Sequence, residues 1–462
     1  MISVQPNFTP KLDPGFVPAA LWNKAYLERV NSSEGSLPVR ISVSRSDGSA
    51  WIYDTKLLPN TADNAEATWL YCERLVKFLL WAWGGSKVCI AGAPHIVNKL
   101  KETYSTTGKR AFDYDFIGRA CFRDALQIET AEFDALKTAT GPSNQHSNPL
   151  TGNRIGFDLG GSDRKCAAII DGKVVFSEEI KWDPYFENDP DYHRAGIADS
   201  IQRAAAHLPS VDAIGGSAAG IYINNEPCVG SLFRGISQDD FNLKIRSVFK
   251  DLKQQWNGIP FEVANDGDVT AIAGSMAVNE SAMLGVSMGT SLAAGYIDSQ
   301  NNIKGWLNEL AFVPVDYRLD GPADEWSGDI GCGVQYFSQQ AVGRLIPASG
   351  LEIDNSLGLP EKLEAVQDHM KKGDDRAADV YDTIGTYFGY TIAHFSDFYD
   401  FRNLLFLGRV SSGAGGEVIL NQARAVLEEE FPELSEKVKF QTPDEKTKRH
   451  GQAIAAASLP KI

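Results

Sequence analysis

The chain has 462 residues, 43% of them hydrophobic and 23% charged, which is ordinary globular composition with room for about three domains. A net charge of −16 with no basic run argues against a nucleic-acid-binding surface, and no apolar run reaches the ~20 residues that cross a bilayer. The opening residues, MISVQPNFTPKLDPG, lack the basic and apolar parts of a secretory signal, and the six cysteines keep no metal-ligand or redox spacing, so a cytoplasmic location with no membrane partner is expected.

In chain order, residues 1–36 are rich in Pro, Asn and Ser and are expected to wrap over a surface. Val39 to Ser44 and Ala50 to Tyr53 alternate with period two around Ser46-Asp47-Gly48, which predicts a hairpin. Apolar residues at 69, 72, 76, 79, 80 and 83 predict a helix over 65–83 with a broad buried face. KVCIAGA (87–93) is a buried strand, 96–104 a helix after Pro94, and 121–136 a further helix. Thus 1–137 forms an α/β unit to which no chemistry attaches. The polar stretch 138–150, TATGPSNQHSNPL, is a linker in which His146 is a solvated loop residue. Beyond it come strands around Asp171-Gly172, a helix near 191–207, a strand at 211–216, a helix at 241–255 and a strand at 261–264. A helix from 269, a strand at 282–288, a long helix at 375–400, a strand at 404–407 and helices near 415–430 and 448–458 complete the pattern. Two successive α/β units predict two lobes with a cleft between them.

Three strand ends carry candidate chemistry. Asp158-Leu-Gly-Gly-Ser162 places a carboxylate before a glycine turn, a pattern that suits a metal-bound polyphosphate and equally suits an ordinary hairpin. Asn265-Asp266-Gly-Asp268 lies between a buried strand and a helix, where the pair serves either as a catalytic acid and its neighbour or as a helix cap. Ser287-Met-Gly-Thr-Ser-Leu-Ala-Ala-Gly295 is a turn of small residues between strands. Two phosphate turns and one carboxylate are what phosphoryl transfer to an alcohol needs.

In order and flanks, residues 153–458 resemble the ROK family of sugar kinases and sugar-responsive repressors, within the actin-like ATPase and hexokinase fold. FDLGGSDRK resembles the family's first phosphate loop, VANDGDVTAIAG the stretch whose Asp is the general base, and SMGTSLAAG the second phosphate loop. LNELAFVPV is similar to the stretch whose Glu holds sugar hydroxyls, GCGVQYFS to G-C-L-E-x-Y-x-S, LLFLGRVSSG to the adenosine-side strand and turn, and RHGQAIAAASL to the closing helix. The resemblance implies a two-lobed sugar kinase fold with an extra N-terminal α/β domain. Its parts would be an accessory domain at 1–137, a linker at 138–150, one lobe at 151–275 with the closing helix 446–462, and a second lobe at 276–445.

It further implies ATP-dependent phosphorylation of a sugar hydroxyl with Asp266 as general base. Asn265 and Glu309 would bind the sugar. Gly160, Gly161, Ser162, Gly289, Thr290, Ser291 and Gly408 would meet ATP, and Asp158 would hold Mg²⁺ directly or through water. The departures fall in the sugar pocket: the family's sugar- and zinc-binding His falls on Phe312 and its second sugar-binding Glu on Val334. Only Cys332 remains of the zinc cysteines, and one thiol cannot build a tetrahedral site, so no zinc is expected. Asp268 stands where the family usually has Asn, and Arg409 replaces a glycine on the adenosine side, to stack on adenine or to point to solvent. Residues 1–137 match nothing in the family and show no helix-turn-helix, which argues against the repressor branch and a nucleic-acid partner. The expected partners are a sugar and ATP, with a homodimer as a possible assembly. The rival reading is a non-catalytic sugar or nucleotide sensor on the same fold.

Overall fold

The computed structural model describes residues 2–139, 148–442 and 445–462, so His146 and most of the expected linker lie outside the described residues. Strands β1 (Leu37–Ser44), β2 (Ala50–Leu57), β3 (Lys87–Ala91) and β4 (Gln127–Thr130) form one sheet in the order β2-β1-β3-β4. The β1–β2 hairpin turns where Asp47-Gly48 predicts: Gly48 takes a left-handed φ of 88° and the Asp47 carboxylate accepts from the Ser49 amide at 2.8 Å. Helix Ala62–Ala82 forms as its spacing requires. The helix expected over 121–136 does not form. The chain instead makes a wide helical turn at Tyr114–Phe122, reverses at Arg123 in a left-handed conformation, and enters β4 parallel to β3. In β4 the buried Ile128 alternates with the less buried Gln127 and Glu129, a period-two pattern too short to outweigh the helical reading. A helix at Ala19–Asn31 was likewise not foreseen within the N-terminal wrap.

The second sheet holds β5 (Asn153–Leu159), β6 (Asp163–Ile170), β7 (Lys173–Lys181), β8 (Ala213–Ala218) and, past the short hairpin of β9 (Ile221–Ile223) and β10 (Glu226–Val229), β11 (Phe261–Asn265). Its order is β11-β8-β5-β6-β7, with β11, β8 and β5 parallel, so Asp158, Ala218 and Asn265 arrive together at one sheet edge. The third sheet holds β12 (Met283–Met288), β13 (Leu292–Ile297), β14 (Asn403–Leu407) and β15 (Lys439–Gln441), in the order β13-β12-β14-β15. β12 and β14 run parallel and end beside each other at Gly289 and Gly408.

Two helices join these sheets. Asp266–Val278 packs on β12 and β13, and Glu445–Ala456 packs on it and on β5, β6 and β8. The expected lobe boundary at 275–276 therefore falls inside a helix. Close approach of Glu445–Ala456 depends on Gly156 and Gly215, where an added Cβ would stand 1.7 Å from the carbonyl oxygens of Ala453 and Ala456 respectively.

The N-terminal residues share one continuous apolar core with 284–438. Phe78 stacks on Phe398 with ring centroids 3.8 Å apart, and Phe16 lies 4.7 Å from Tyr387. The Asp13 carboxylate ties the leading segment down by accepting from Arg318 at 2.6 Å, Arg344 at 3.0 Å and the Tyr387 hydroxyl at 2.6 Å. Among the described residues no helix is long and apolar enough to cross a membrane.

Candidate active site

Asp158 closes β5 and is buried. One carboxylate oxygen accepts from the Ser217 hydroxyl at 2.6 Å, and the Lys165 ammonium stands 3.6 Å from the other. Burial still holds the carboxyl above its usual range, with these two partners pulling the other way. Neither partner was singled out from the sequence, although the hairpin carries the signal for one. With Gly160 to Ser162 as the turn, antiparallel register sets Asp158 opposite Lys165.

Asn265 and Asp266 sit where β11 hands over to helix Asp266–Val278. The Asn265 side chain caps that helix, its oxygen accepting from the Gly267 amide at 2.7 Å, while its amide donates to the Gly220 carbonyl at 2.6 Å. Both bonds tie the strand end to backbone on either side of it. Asp266 is half-buried and accepts from the Gly267 amide at 3.0 Å. Burial and then the charge of Asp158 push its carboxyl up to about 6. Asp268 faces the other way. Its carboxylate accepts from the Tyr296 amide at 3.2 Å and the Asn308 side-chain amide at 2.8 Å, and burial pushes it up to about 7. Asp268, Asn265, Glu262, Asn225 and Trp306 line a cleft of about 300 Å³ beside this corner.

Glu309 is brought in by the N-terminal region. The amides of Asn308 and Glu309 donate to the carbonyls of Ala82 and Trp81, at 2.9 and 3.1 Å, where helix Ala62–Ala82 ends. Those carbonyls lack partners within the helix, so the 308–309 strip satisfies them. Asn308 adopts a left-handed φ of 53°, and its side chain bridges Asp268 and the Tyr399 hydroxyl, the latter at 3.1 Å. Asn308 also escaped the sequence reading; an Asn before Glu309 is a signal for left-handed backbone. Burial, then the charges of Asp266 and Asp268, push the Glu309 carboxyl up to about 7. Asp266 therefore lies in the field of Asp158, and Asp268 and Glu309 lie in that of Asp266.

The two glycine turns lie at the sheet edges. Gly160 donates its amide to the Asp163 carbonyl at 2.9 Å, and the Ser162 hydroxyl donates to the Asp163 carboxylate at 3.0 Å. An added Cβ at Gly161 would meet the Tyr185 ring at 2.2 Å, so this glycine serves packing as well as turning. Gly289 closes the other turn by donating to the Ser291 carbonyl at 2.9 Å, leaving Thr290 and Ser291 exposed. Gly408, with φ 108°, passes so close to Met288 that a Cβ would stand 2.3 Å from its carbonyl oxygen. Arg409 points outward to the exposed Glu364 at 3.2 Å.

Phe312 lies one turn past Glu309, its amide donating to the Glu309 carbonyl at 3.2 Å. Its ring stacks on Trp81 with centroids 4.2 Å apart, and Phe112 and Phe116 flank it. Val334 and Cys332 are buried, and burial pushes the Cys332 thiol up to about 11. Close by, the buried Lys77 ammonium donates to Asp113 at 2.9 Å and to Asp329 at 2.5 Å, and Arg110 pairs with Glu73 and Asp329. Among the described residues no group of three or more His, Cys, Asp or Glu is arranged to hold a metal ion.

No protein-family model matches the chain, and no curated protein does. Solved structures do. A ROK hexokinase from Thermus thermophilus superposes with a TM-score of 0.52 at 18% identity, covering 67% of this chain and 97% of that one. A ROK family transcriptional regulator, described as a homologue of the E. coli MLC protein, gives a TM-score of 0.53 at 19% identity, covering 67% and 79%. The chain therefore has the two-lobed actin-like ATPase fold of ROK-family proteins.

Proposed function

We propose that this chain, built on the fold of ROK hexokinases and regulators, transfers the γ-phosphoryl group of ATP to a hydroxyl of a sugar or sugar derivative. The observation that carries this reading is the grouping of Asp158, Asp266 and Glu309, with Asp266 in the field of Asp158 and Glu309 in the field of Asp266. A pure binding protein needs neither an acid at the acceptor nor one at the metal. Asp266 takes the acceptor proton as the oxygen attacks phosphorus, and a carboxyl pushed up to about 6 accepts it better than an ordinary one. Asn265 and Glu309 hydrogen-bond neighbouring hydroxyls and fix the attacking one. The turns at 160–162 and 289–291 and the Gly408 strand end hold the nucleotide, and lobe closure excludes water that would hydrolyse ATP.

Mg²⁺ commonly keeps several waters and takes one or two carboxylates plus phosphate oxygens, and Asp158 is the carboxylate at the first turn that could serve it. One Asp158 oxygen accepts from Ser217 and the other faces the Lys165 ammonium, which competes with a metal ion and would have to swing aside for it. Asp158 would hold the ion directly or through water, with Asp266 adding negative field. When bound, Mg²⁺ supplies charge neutralisation to the phosphates.

Phe312 and Val334 offer no hydrogen bond where the family offers a His and a Glu. A hydroxyl left unpaired there costs about 1–3 kcal/mol. A deoxy, N-acylated or otherwise modified sugar should therefore outperform glucose. The same two residues favour the second reading, a non-catalytic sugar or nucleotide sensor. Coupled ADP release over a sugar panel, with wild type and Asp266→Asn, separates the two. We expect sugar binding to survive the substitution while turnover falls by at least ~10². Absence of any phosphorylated acceptor in wild type would hand the case to the sensor.

A further inference from the structure

Trp326 is 71% exposed, so most of its ring is open to solvent. A single exposed tryptophan is unremarkable on a mobile loop, which can turn it inward. This loop is braced. The Asp324 carboxylate accepts from the Ser327 amide and hydroxyl, both at 2.7 Å, and the Asp324 amide donates to the Asp329 carbonyl at 2.8 Å. Asp329 is itself paired with the buried Lys77 and Arg110, and Arg74 donates to the Ile330 carbonyl at 2.9 Å. Lys77 and Arg74 belong to helix Ala62–Ala82, whose last carbonyls hold Glu309. One helix therefore braces both the strip that carries Glu309 and the loop that bears the exposed ring.

The ring also neighbours the segment that carries Glu309. Its centroid lies 6.5 Å from that of Phe312, one turn beyond Glu309. The adjacent Glu325 is exposed and adds a negative charge beside the ring, which disfavours a phosphate or any other anion. The chemistry that fits is a neutral ring with an apolar face.

We propose that Trp326 is a stacking subsite for the group attached to the acceptor sugar, so that the substrates are neutral glycosides or oligosaccharide ends rather than free monosaccharides. This deepens the kinase reading and rests on it for the acceptor's position. The stacked group lies on Trp326 while the sugar that bears the reacting hydroxyl meets Asn265, Asp266 and Glu309.

Calorimetric titration of the full-length protein tests it, with free glucose, mannose and N-acetylglucosamine beside their methyl and phenyl glycosides. We expect at least one phenyl glycoside to bind about threefold to tenfold more tightly than its methyl counterpart, the range of one aromatic contact. Trp326→Ala should erase that preference and leave the methyl glycoside's affinity unchanged, and Trp326→Phe should restore most of it. A preference that persists in Trp326→Ala overturns the subsite, as does equal weakening of all ligands. If the free sugars bind and are phosphorylated without any glycoside preference, the subsite fails and the kinase stands. If no carbohydrate binds at all, both fall.

Discussion

At the residue scale, the four site carboxyls set an unusual pH dependence. Burial raises Asp158, and burial with repulsion from neighbouring site carboxyls raises Asp266, Asp268 and Glu309, the last three to about 6, 7 and 7. A carboxyl raised on folding binds more protons in the folded chain than in the unfolded one between its two pKa values. The stability it contributes is complete below the unfolded value, near 4, and is lost as pH rises through the folded value. The ligand-free protein should therefore melt at a higher temperature near pH 5.5 than near pH 7.5, unlike a protein governed by salt-bridged acids. Glu309→Gln should flatten that slope, as followed by thermal unfolding across the range. Catalysis should show the opposite trend, with turnover falling below pH 6 as Asp266 takes up its proton. Cys332 supports a further expectation. The Lys77 ammonium lies near enough to influence its thiol, so a zinc ion there would compete with a fixed positive charge. Protein purified without chelator should carry no stoichiometric zinc by elemental analysis, and zinc retained through dialysis would refute this.

At the element scale, what the sequence revealed depended on how local the cause was. The hairpin at Asp47-Gly48, the helix at 62–82 and the strand ends carrying Asp158 and Asn265 follow from turn chemistry and periodicity within a dozen residues. Lys165 was within reach through strand register. Helix Ala19–Asn31 carried a local signal, with buried Trp22, Tyr26 and Val30 four residues apart, that the Pro- and Asn-rich flanks masked. Placement of Glu309 was beyond local reading, since the carbonyls that hold it belong to residues 81 and 82. Two glycines make this testable. Gly215→Ala sets a Cβ against the Ala456 carbonyl, so helix Glu445–Ala456 must shift off β5 and β8. Limited proteolysis should then cut near the C-terminus faster than in wild type, and the variant should lose about 1–3 kcal/mol in denaturant unfolding, as overpacked interiors do. At Asn308 the order of tolerance should be unusual, with Asn308→Gly milder than Asn308→Ala, because alanine adds left-handed strain of about 1 kcal/mol or more to the lost Asp268 contact.

At the scale of the whole molecule, residues 1–137 belong to the same packed interior as 284–438, and they supply the wall and the carbonyls that hold the Glu309 strip. A fragment spanning 151–462 would expose the faces of Tyr387, Phe395 and Phe398 that Phe16 and Phe78 now cover. We expect that fragment to aggregate or to bind a hydrophobic dye strongly, whereas co-expressed 1–137 should rescue its solubility. The shared interior also bears on how the chain is made. Translation delivers the first sheet long before Leu284, so the ribosome releases a half-built wall whose apolar face has nothing to lean on. The five-stranded sheet from 153 to 265 emerges next and has a separate cluster of its own, built from Ile155, Phe157 and Phe261 among others. The nascent chain thus matures from its middle outward, with its earliest residues waiting for nearly its latest, and chaperone demand should peak in that interval.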